Sequence, residues 1–319
     1  MFPPMTGDPK SVMLGMAYDG PKGDHSFTDS AARGAAEVVK QGGALVGELA
    51  ASVGEADTAK VNRLQQLVDQ KANTIVAVGY DYADALGKVA KANPDVHFAI
   101  VDSVVDVPNV ASLTFAAEQS SFLAGVAAAL KSKTGHVAFI GGVKVPLIQA
   151  FQAGFDAGAK AAKPGIKIDD KYIAPAGDNT GYSSPDKAQT IAKGLFDAGA
   201  DVIYAAAGGS GTGVFKEAKA DGKLAIGVDS DQYQDPTLAA YKSVIITSAV
   251  KNVDVAVYLF ASSVAAGKPE TGVQTFDLKQ GGVGLATSGG KIDDIMSQLD
   301  KFKSQIVDGS VKVPSTPSS

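Results

Sequence analysis

The sequence of 319 residues contains no cysteine and no long uninterrupted apolar segment. The absence of cysteine excludes disulfide bonds, thiolate metal sites and cysteine nucleophiles. It leaves the compartment open, because an exported protein can also avoid thiols. Without a long apolar segment we expect no membrane-spanning helix. The first residues show neither the basic start nor the apolar stretch of a signal peptide. Either the protein is cytoplasmic or the sequence is a shortened form with an added methionine.

Positive charge is also scarce, since 29 lysines and arginines face 34 aspartates and glutamates, which gives a net charge of −5. Binding to a phosphate backbone needs a basic face, so this balance argues against a nucleic-acid partner. The composition, with 45% apolar and 20% charged residues, is typical of an ordinary soluble globular protein. The length predicts two domains or one large domain, and the 36 glycines suit many tight turns between strands and helices.

Strand-like and helix-like patterns alternate along almost the whole chain. In the first half, strand patterns at 12–17, 74–79 and 98–102 are separated by stretches with helical spacing. The alternation then restarts with a helical pattern at 119–131 and a strand at 136–142. Serial strand–helix–strand units predict parallel sheets. Two such halves predict an α/β protein of two doubly wound lobes with a cleft between them.

Acidic residues follow one of the predicted buried strands. Residues 224–228 are an apolar run that leads directly into Asp229 and Asp231. Open α/β sheets bind ligands at the carboxyl ends of their strands. Ionised carboxylates only accept hydrogen bonds, so they suit a ligand rich in hydroxyl donors, such as a sugar or a nucleoside ribose. A solvated acidic turn is the alternative. Asp102 ends an earlier strand in the same way and is either a ligand contact or a cap.

Two further candidate residues lie beside predicted strand ends. Phe27 lies in the loop 19–28 after the first strand, where it either stacks on a planar ligand group or staples the following helix. Lys251 follows the strand 244–248, where the chain is expected to cross between lobes. Its ammonium can donate hydrogen bonds to hydroxyl groups. The alternative is a solvated helix start, although a cation there opposes the helix dipole.

Motifs for cofactor binding and catalysis are incomplete. The glycine-rich residues 208–213 lack the ending of a phosphate-binding loop, and they match neither the dinucleotide-binding spacing nor a serine elbow. These glycines can still let backbone amides approach a neutral ligand. His25, His97 and His136 are far apart in the sequence, so zinc has little support, although His25 lies in the loop that can touch a ligand.

One acidic pattern raises the question of an enzyme. Asp229, Asp231 and Asp235 are similar to the calcium motif of nucleoside hydrolases, but they come late in the chain and Pro236 replaces the last aspartate. The sequence also offers no convincing pair of nucleophile and base. A nucleoside hydrolase or kinase is therefore the weaker alternative.

Taken in order, several stretches resemble the basic membrane protein family of substrate-binding lipoproteins, which are the purine-nucleoside receptors of ABC importers. The resemblance runs from about Val12 to Leu285 and rests on residues 24–27, 109–115, 118–125, 139–142, 151–158, 207–215, 226–232 and 248–251.

The resemblance implies a type I periplasmic-binding fold, in which two doubly wound parallel-sheet lobes are joined by a three-strand hinge. The hinge strands are expected near residues 113–115, 247–249 and 275–277. The expected N-terminal lobe is 1–113 plus 249–276, the expected C-terminal lobe is 114–248 plus 277–312, and a flexible tail at 313–319 follows.

Family members hold the base between two aromatic rings and bind the ribose through carboxylates and a lysine. Carried over to this chain, Phe27 is one aromatic ring and Tyr204 the other, with Tyr182 in reserve. Asp19 is expected to contact the base. The residues expected to contact the ribose are Asp102, Gly227, Asp229 and Lys251.

The function implied by the resemblance is a monomeric receptor without cofactor or catalysis. It would bind guanosine, inosine or adenosine and deliver it to an ABC permease, as an extracytoplasmic lipoprotein in its full-length form. A nucleoside- or sugar-sensing receptor domain of the same fold is the alternative. The chain departs from the family in two ways. His25 and Thr28 stand where lysine and asparagine are common, and this sequence contains neither the lipid-bearing cysteine nor a signal peptide.

Overall fold

The computed structural model describes residues 2–318, so Met1 and Ser319, the outermost residues of the predicted N-terminal lobe and tail, lie outside the described residues. The strands are β1 (Met13–Tyr18), β2 (Ala44–Ala50), β3 (Thr74–Val78), β4 (His97–Val101), β5 (Val110–Phe115), β6 (His136–Val143), β7 (Lys167–Ala174), β8 (Val202–Ala206), β9 (Leu224–Asp229), β10 (Ile245–Lys251), β11 (Gly272–Phe276) and β12 (Val283–Leu285). The helices are α1 (Phe27–Lys40), α2 (Asp57–Asp69), α3 (Ala83–Ala92), α4 (Ala117–Lys131), α5 (Pro146–Ala162), α6 (Pro185–Asp197), α7 (Gly211–Ala220), α8 (Val253–Ala265) and α9 (Met296–Val307).

The chain divides into two compact units. Unit 1 runs up to Gly23 and continues with Thr28–Phe115 and Asn252–Phe276. Unit 2 consists of Asp24–Phe27, Ala116–Lys251 and the residues from Asp277 onward.

Two of these divisions differ from the boundaries predicted at 113/114 and 248/249. They fall after Phe115 and after Lys251, because β5 and β10 continue as strands up to those residues. Lys251 therefore belongs to unit 2. The sequence also did not predict that Asp24–Phe27 groups with unit 2.

Unit 1 is built on a six-stranded parallel sheet with the order β2-β1-β3-β4-β5-β11. The central strands are buried on both faces, as Ile75, Val76 and Ala77 of β3 show with exposures of 0%. Parallel sheets need such coverage because strand–helix–strand connections put helices over both faces. In unit 1, α2 and α3 pack on the sheet through Leu64, Leu86 and other core side chains.

Unit 2 repeats this plan with the order β7-β6-β8-β9-β10-β12. Its pairings are parallel, except that the short strand β12 runs antiparallel to β10. The predicted α/β fold with two parallel-sheet lobes is therefore confirmed. Within the described part of the chain, no helix combines the length and the apolar character needed to cross a membrane.

Helices α4 and α5 of unit 2 pack so closely that their contact requires glycine. A β-carbon at Gly154 would lie 2.1 Å from the carbonyl oxygen of Glu118, and one at Gly158 would lie 1.9 Å from that of Phe122. No side chain fits at these distances, so only glycine lets the backbones meet. Packing thus explains the glycines of the stretch 151–158. The same packing places α5, with Phe151 in its N-terminal half, beside the sheet.

Candidate functional site

The carboxyl edge of the sheet in unit 2 carries a buried carboxylate and a buried ammonium on neighbouring strands. Asp229 ends β9 and Lys251 ends β10, and Asp229 is the direct partner of Val250 in the pairing of these strands. Asp229 is 7% exposed and Lys251 is 2% exposed. Removing charges from water is costly unless other groups satisfy them, so the surroundings of both side chains matter.

Asp229 is held by a segment that comes from far away in the sequence. The hydroxyl of Ser26 donates a hydrogen bond of 2.6 Å to Oδ2 of Asp229, and the hydroxyl of Ser230 donates one of 2.8 Å to the carbonyl oxygen of Ser26. Asp229 also has a left-handed backbone with φ of 61°. This conformation is uncommon for a residue other than glycine, although aspartate tolerates it better than most. The combination fixes the carboxylate at the strand end.

Lys251 lies beside two aromatic rings. Its Nζ is 4.8 Å from the ring centroid of Phe27 and 5.7 Å from that of Phe151. An ammonium at such distances is attracted by the electron-rich faces of the rings, with about 0.5–2 kcal/mol for each contact. Phe151 on α5 is buried, whereas Phe27 is only partly buried. Phe27 therefore keeps part of its ring surface accessible next to a cation.

Tyr204 lies in the core of unit 2, where its hydroxyl is within electrostatic range of Asp229. It is 0% exposed, its ring centroid is 5.6 Å from that of Phe139 and 5.4 Å from that of Phe155, and its hydroxyl lies 3.1 Å from Oγ of Ser121. Burial raises the pKa of its hydroxyl. The predicted stacking role does not agree with this placement, because the side chain points from the middle of β8 into the helices α4 and α5. Phe151 contacts Lys251 instead.

The two remaining predicted residues of unit 2 have packing roles. Gly227 lies inside β9, where a β-carbon would be 2.5 Å from Oε1 of Gln232 and 2.6 Å from Oγ of Ser248. Glycine therefore makes room for these two polar side chains behind the strand end. Tyr182, the reserve aromatic, packs against Gly142, where a β-carbon would be 2.5 Å from its ring.

In unit 1 the predicted residues Asp19 and Asp102 also lie at the carboxyl edge of the sheet. Asp19 follows β1 and donates its backbone N–H to the carbonyl oxygen of Val78 at 3.0 Å. Gly79 makes room for its carboxylate, since a β-carbon there would lie 2.2 Å from Oδ2 of Asp19. Asp102 follows β4 and has a left-handed backbone with φ of 67°. Both residues are partly buried.

The three acids of the calcium-like pattern do not form one site. Asp229 is bonded to Ser26, the carboxylate of Asp231 accepts a hydrogen bond of 2.7 Å from Ser288, and that of Asp235 lies 2.9 Å from a ring nitrogen of His25. Among residues 2–318 no group of three or more His, Cys, Asp or Glu side chains is arranged to hold a metal ion.

The structure adds Ser26 and Phe151 to the group around Lys251. Both belong to stretches that carry the family resemblance, but neither residue type by itself indicates a binding role. A serine two residues after an aspartate is typical of a turn, and a phenylalanine on an amphipathic helix is typical of the core. Their role depends on long-range contacts that local sequence patterns do not record.

Comparisons with known proteins agree with the fold. The family model described as ABC transporter substrate-binding protein PnrA-like matches residues 11–317. A protein of Listeria monocytogenes named CD4+ T-cell-stimulating antigen is 39% identical over 280 residues, which cover 83% of this chain and 76% of that protein. The ABC transporter nucleoside-binding protein BmpA of Lactococcus lactis subsp. cremoris is 40% identical over 258 residues, which cover 76% of this chain and 71% of that protein.

Among solved structures, an ABC transporter solute-binding protein of Aeropyrum pernix K1 superposes with a TM-score of 0.80 at 24% identity and covers 95% of this chain and 94% of that one. This likeness supports the type I fold of periplasmic solute-binding proteins. The family predicted from the sequence is confirmed. The chain belongs to the Bmp family of PnrA-like ABC transporter substrate-binding proteins.

Proposed function

We propose that this substrate-binding protein binds a purine nucleoside and delivers it to an ABC permease, without changing the ligand chemically. One observation carries the proposal. In unit 2, the partly accessible ring of Phe27 lies beside the buried ammonium of Lys251, and the neighbouring Ser26 donates a hydrogen bond to the carboxylate of Asp229. A flat ring suits a base, while an acceptor and a donor suit the hydroxyls of a ribose. The name of the BmpA relative supports the same ligand class.

In this proposal each residue has a stated role. Phe27 stacks on the base, and Asp229 and Lys251 bind the ribose hydroxyls. Asp102 also addresses the ribose, and Asp19 accepts hydrogen bonds from the base. Gly227 contributes backbone groups and the space for its neighbours. Tyr204 has no contact with the ligand, because it is buried among core aromatic rings.

The proposal extends to the place and partners of the protein. We propose that it works outside the cytoplasm as a monomer, anchored as a lipoprotein in its full-length form, and that the permease is its partner in the membrane. Guanosine, inosine and adenosine are the ligands to test.

The direct test uses protein from which any bound ligand has been removed by unfolding and refolding. Each nucleoside at millimolar concentration is expected to raise the unfolding midpoint, since a ligand at a hundred times its dissociation constant stabilises by about 2.7 kcal/mol. Free ribose serves as the control. If none of the three nucleosides shifts the midpoint, the nucleoside proposal fails, and release of free ribose from a nucleoside would show an enzyme instead.

A further inference from the structure

The segment Asp24–Phe27 belongs to unit 2, although the residues on both sides of it belong to unit 1. Besides the bonds of Ser26 described above, His25 ties this segment to unit 2. Nδ1 of His25 lies 2.9 Å from Oδ2 of Asp235 and 3.0 Å from Oγ1 of Thr237. The side chains of His25, Asp235 and Thr237 thus connect the segment after β9 with the loop before α1. None of these three side chains is among the proposed ligand contacts.

The hydrogen bonds around Asp235 define where the proton of the imidazole lies. The backbone N–H and the hydroxyl of Thr237 both donate to Oδ1 of Asp235, at 2.8 Å and 2.5 Å. Burial alone would raise the pKa of Asp235, but the hydrogen bonds from Thr237 and His25 outweigh it and lower that pKa. An ionised carboxylate only accepts hydrogen bonds, so Nδ1 of His25 must carry the hydrogen that points to Oδ2.

The backbone conformation of His25 is a second observation that points to a role for this contact. Its φ of 58° lies in the left-handed region, which histidine adopts at some cost. Such conformations persist where surrounding contacts hold them. Here the side chain is held by Asp235 and Thr237, and the turn it stabilises leads directly to Ser26 and Phe27.

We propose that His25, Asp235 and Thr237 form a latch that holds segment Asp24–Phe27 against unit 2 and thereby fixes the position of Phe27. This latch rests on the proposed function insofar as Phe27 contacts the nucleoside, and it makes His25 a positioning residue. The side chains of His25 and Asp235 are 23% and 21% exposed, so solvent weakens their attraction and a moderate effect is expected.

Four variants separate the latch from other effects. Asp235→Ser keeps an oxygen that can cap the backbone N–H of Thr237 but is too short to reach His25. His25→Gly removes the imidazole and accepts the positive φ, while His25→Asn keeps a donor near the position of Nδ1 and tolerates the same backbone. The fourth variant combines His25→Gly with Asp235→Ser.

A matched control exists elsewhere in unit 2. The carboxylate of Asp178 accepts hydrogen bonds from the backbone N–H and the hydroxyl of Thr180, at 3.1 Å and 2.6 Å, which is the arrangement of Asp235 and Thr237 without the contact to His25. Asp178→Ser therefore changes the same kind of turn and leaves the latch intact.

Two readouts are measured on every variant, namely the inosine dissociation constant and the amide hydrogen exchange of Ser26 and Phe27. We expect Asp235→Ser to weaken inosine binding and to accelerate this exchange by about threefold to tenfold, as for the loss of one hydrogen bond. The combined variant should resemble Asp235→Ser. Compared with His25→Gly, His25→Asn should recover most of the lost inosine affinity and of the lost protection from exchange. Asp178→Ser should change neither readout.

The two proposals fail in different ways. If inosine, guanosine and adenosine do not bind the unaltered protein, the nucleoside function fails, and the exchange rates still decide whether the latch exists. Exchange of Ser26 and Phe27 that stays unchanged in Asp235→Ser would overturn the latch. So would equal weakening of inosine binding by Asp235→Ser and the control Asp178→Ser.

Discussion

In both units, an aspartate with a left-handed backbone lies at the end of the fourth strand of the sheet. Asp102 follows β4 with φ of 67°, and Asp229 ends β9 with φ of 61°. Asp229 is tied to Ser26 next to a ring and an ammonium, while the predicted contacts at the edge of unit 1 are carboxylates, Asp19 and Asp102. The same fold thus presents acceptors in one unit and a ring, a cation and an acceptor together in the other.

The outer edges of the two sheets differ in a comparable way. On β2 of unit 1, Glu48 accepts a hydrogen bond of 2.7 Å from the hydroxyl of Tyr18 and one of 3.0 Å from Lys22. On β7, the matching edge strand of unit 2, Asp170 shares a hydrogen bond with Asp156 of α5, and burial raises the pKa of both carboxyl groups. One acid faces a hydroxyl and a cation, and the other faces a second acid.

Removing the two matched aspartates should have the largest effect. We expect Asp229→Gly to weaken nucleoside binding by about 1.5–3 kcal/mol, the range for a hydrogen bond to a charged group. Glycine is chosen because it accepts the positive φ of both positions. Calorimetric titration of Asp229→Gly and Asp102→Gly shows whether the units contribute equally. An unchanged dissociation constant for Asp229→Gly removes Asp229 from the site.

The glycines at the two strand ends give the next prediction. Gly79→Ala and Gly227→Ala should each destabilise the protein by about 1–3 kcal/mol, since a β-carbon overpacks against polar atoms 2.2–2.5 Å away. Gly79→Ala should cost more, because its φ of 121° is unsuitable for alanine. Denaturant unfolding measures both, and Gly284→Ala, where a β-carbon meets nothing within 4 Å, is the control. Stability unaffected by Gly227→Ala contradicts the packing of Gln232 and Ser248 described here.

Lys251→Met separates binding from folding at the edge of unit 2. Methionine fills a similar volume next to Phe27 and Phe151 and removes a charge that is 2% exposed. The substitution also removes the cost of keeping a charged group out of water. We therefore expect little loss of stability and a loss of about 1.5 kcal/mol in nucleoside binding, the lower end of the range for a hydrogen bond to a charged group. A large loss of stability with unchanged binding would show that Lys251 is structural.

The acid pair of unit 2 should make stability depend on pH. Because the folded-state pKa values of Asp156 and Asp170 are raised, their contribution is complete below the unfolded pKa of about 3.9 and is lost as pH rises through the folded values. Lys160, Asp169 and Tyr172 are the other titratable groups in these interactions.

Asp170→Asn relieves the cost of that pair and should raise the unfolding midpoint by about 2 °C at pH 8, with little change at pH 4. Glu48→Gln on the matching strand of unit 1 is the control, and its partly exposed contact with Lys22 should matter little at either pH. An equal shift of Asp170→Asn at both pH values contradicts the account.

The sequence predicted the fold well because alternating patterns determine parallel sheets. It did not predict β12, since the three residues Val283–Leu285 have no period of their own and their antiparallel pairing depends on β10. Tyr204 shows a second limit. It lies in an apolar run buried on both faces, and such a run does not tell which side chains point into the helices.

Only part of the candidate site could be proposed from the sequence. Asp229 and Lys251 could be chosen because they follow apolar strands, and the structure places them at the ends of neighbouring strands. The contacts of Ser26 and His25 could not be chosen, because their partners lie more than 200 residues away and are brought together only by the folded chain.

The ring of Phe27 gives the most direct test of the proposal that unit 2 recognises a nucleoside. Titration calorimetry of the unaltered protein and of Phe27→Ala should compare inosine with free ribose. Stacking on an aromatic ring contributes about 1–3 kcal/mol for a base, so Phe27→Ala should weaken inosine binding by that amount and leave any ribose binding nearly unchanged. If ribose binds the unaltered protein as tightly as inosine, or if Phe27→Ala binds inosine with undiminished affinity, the account is contradicted.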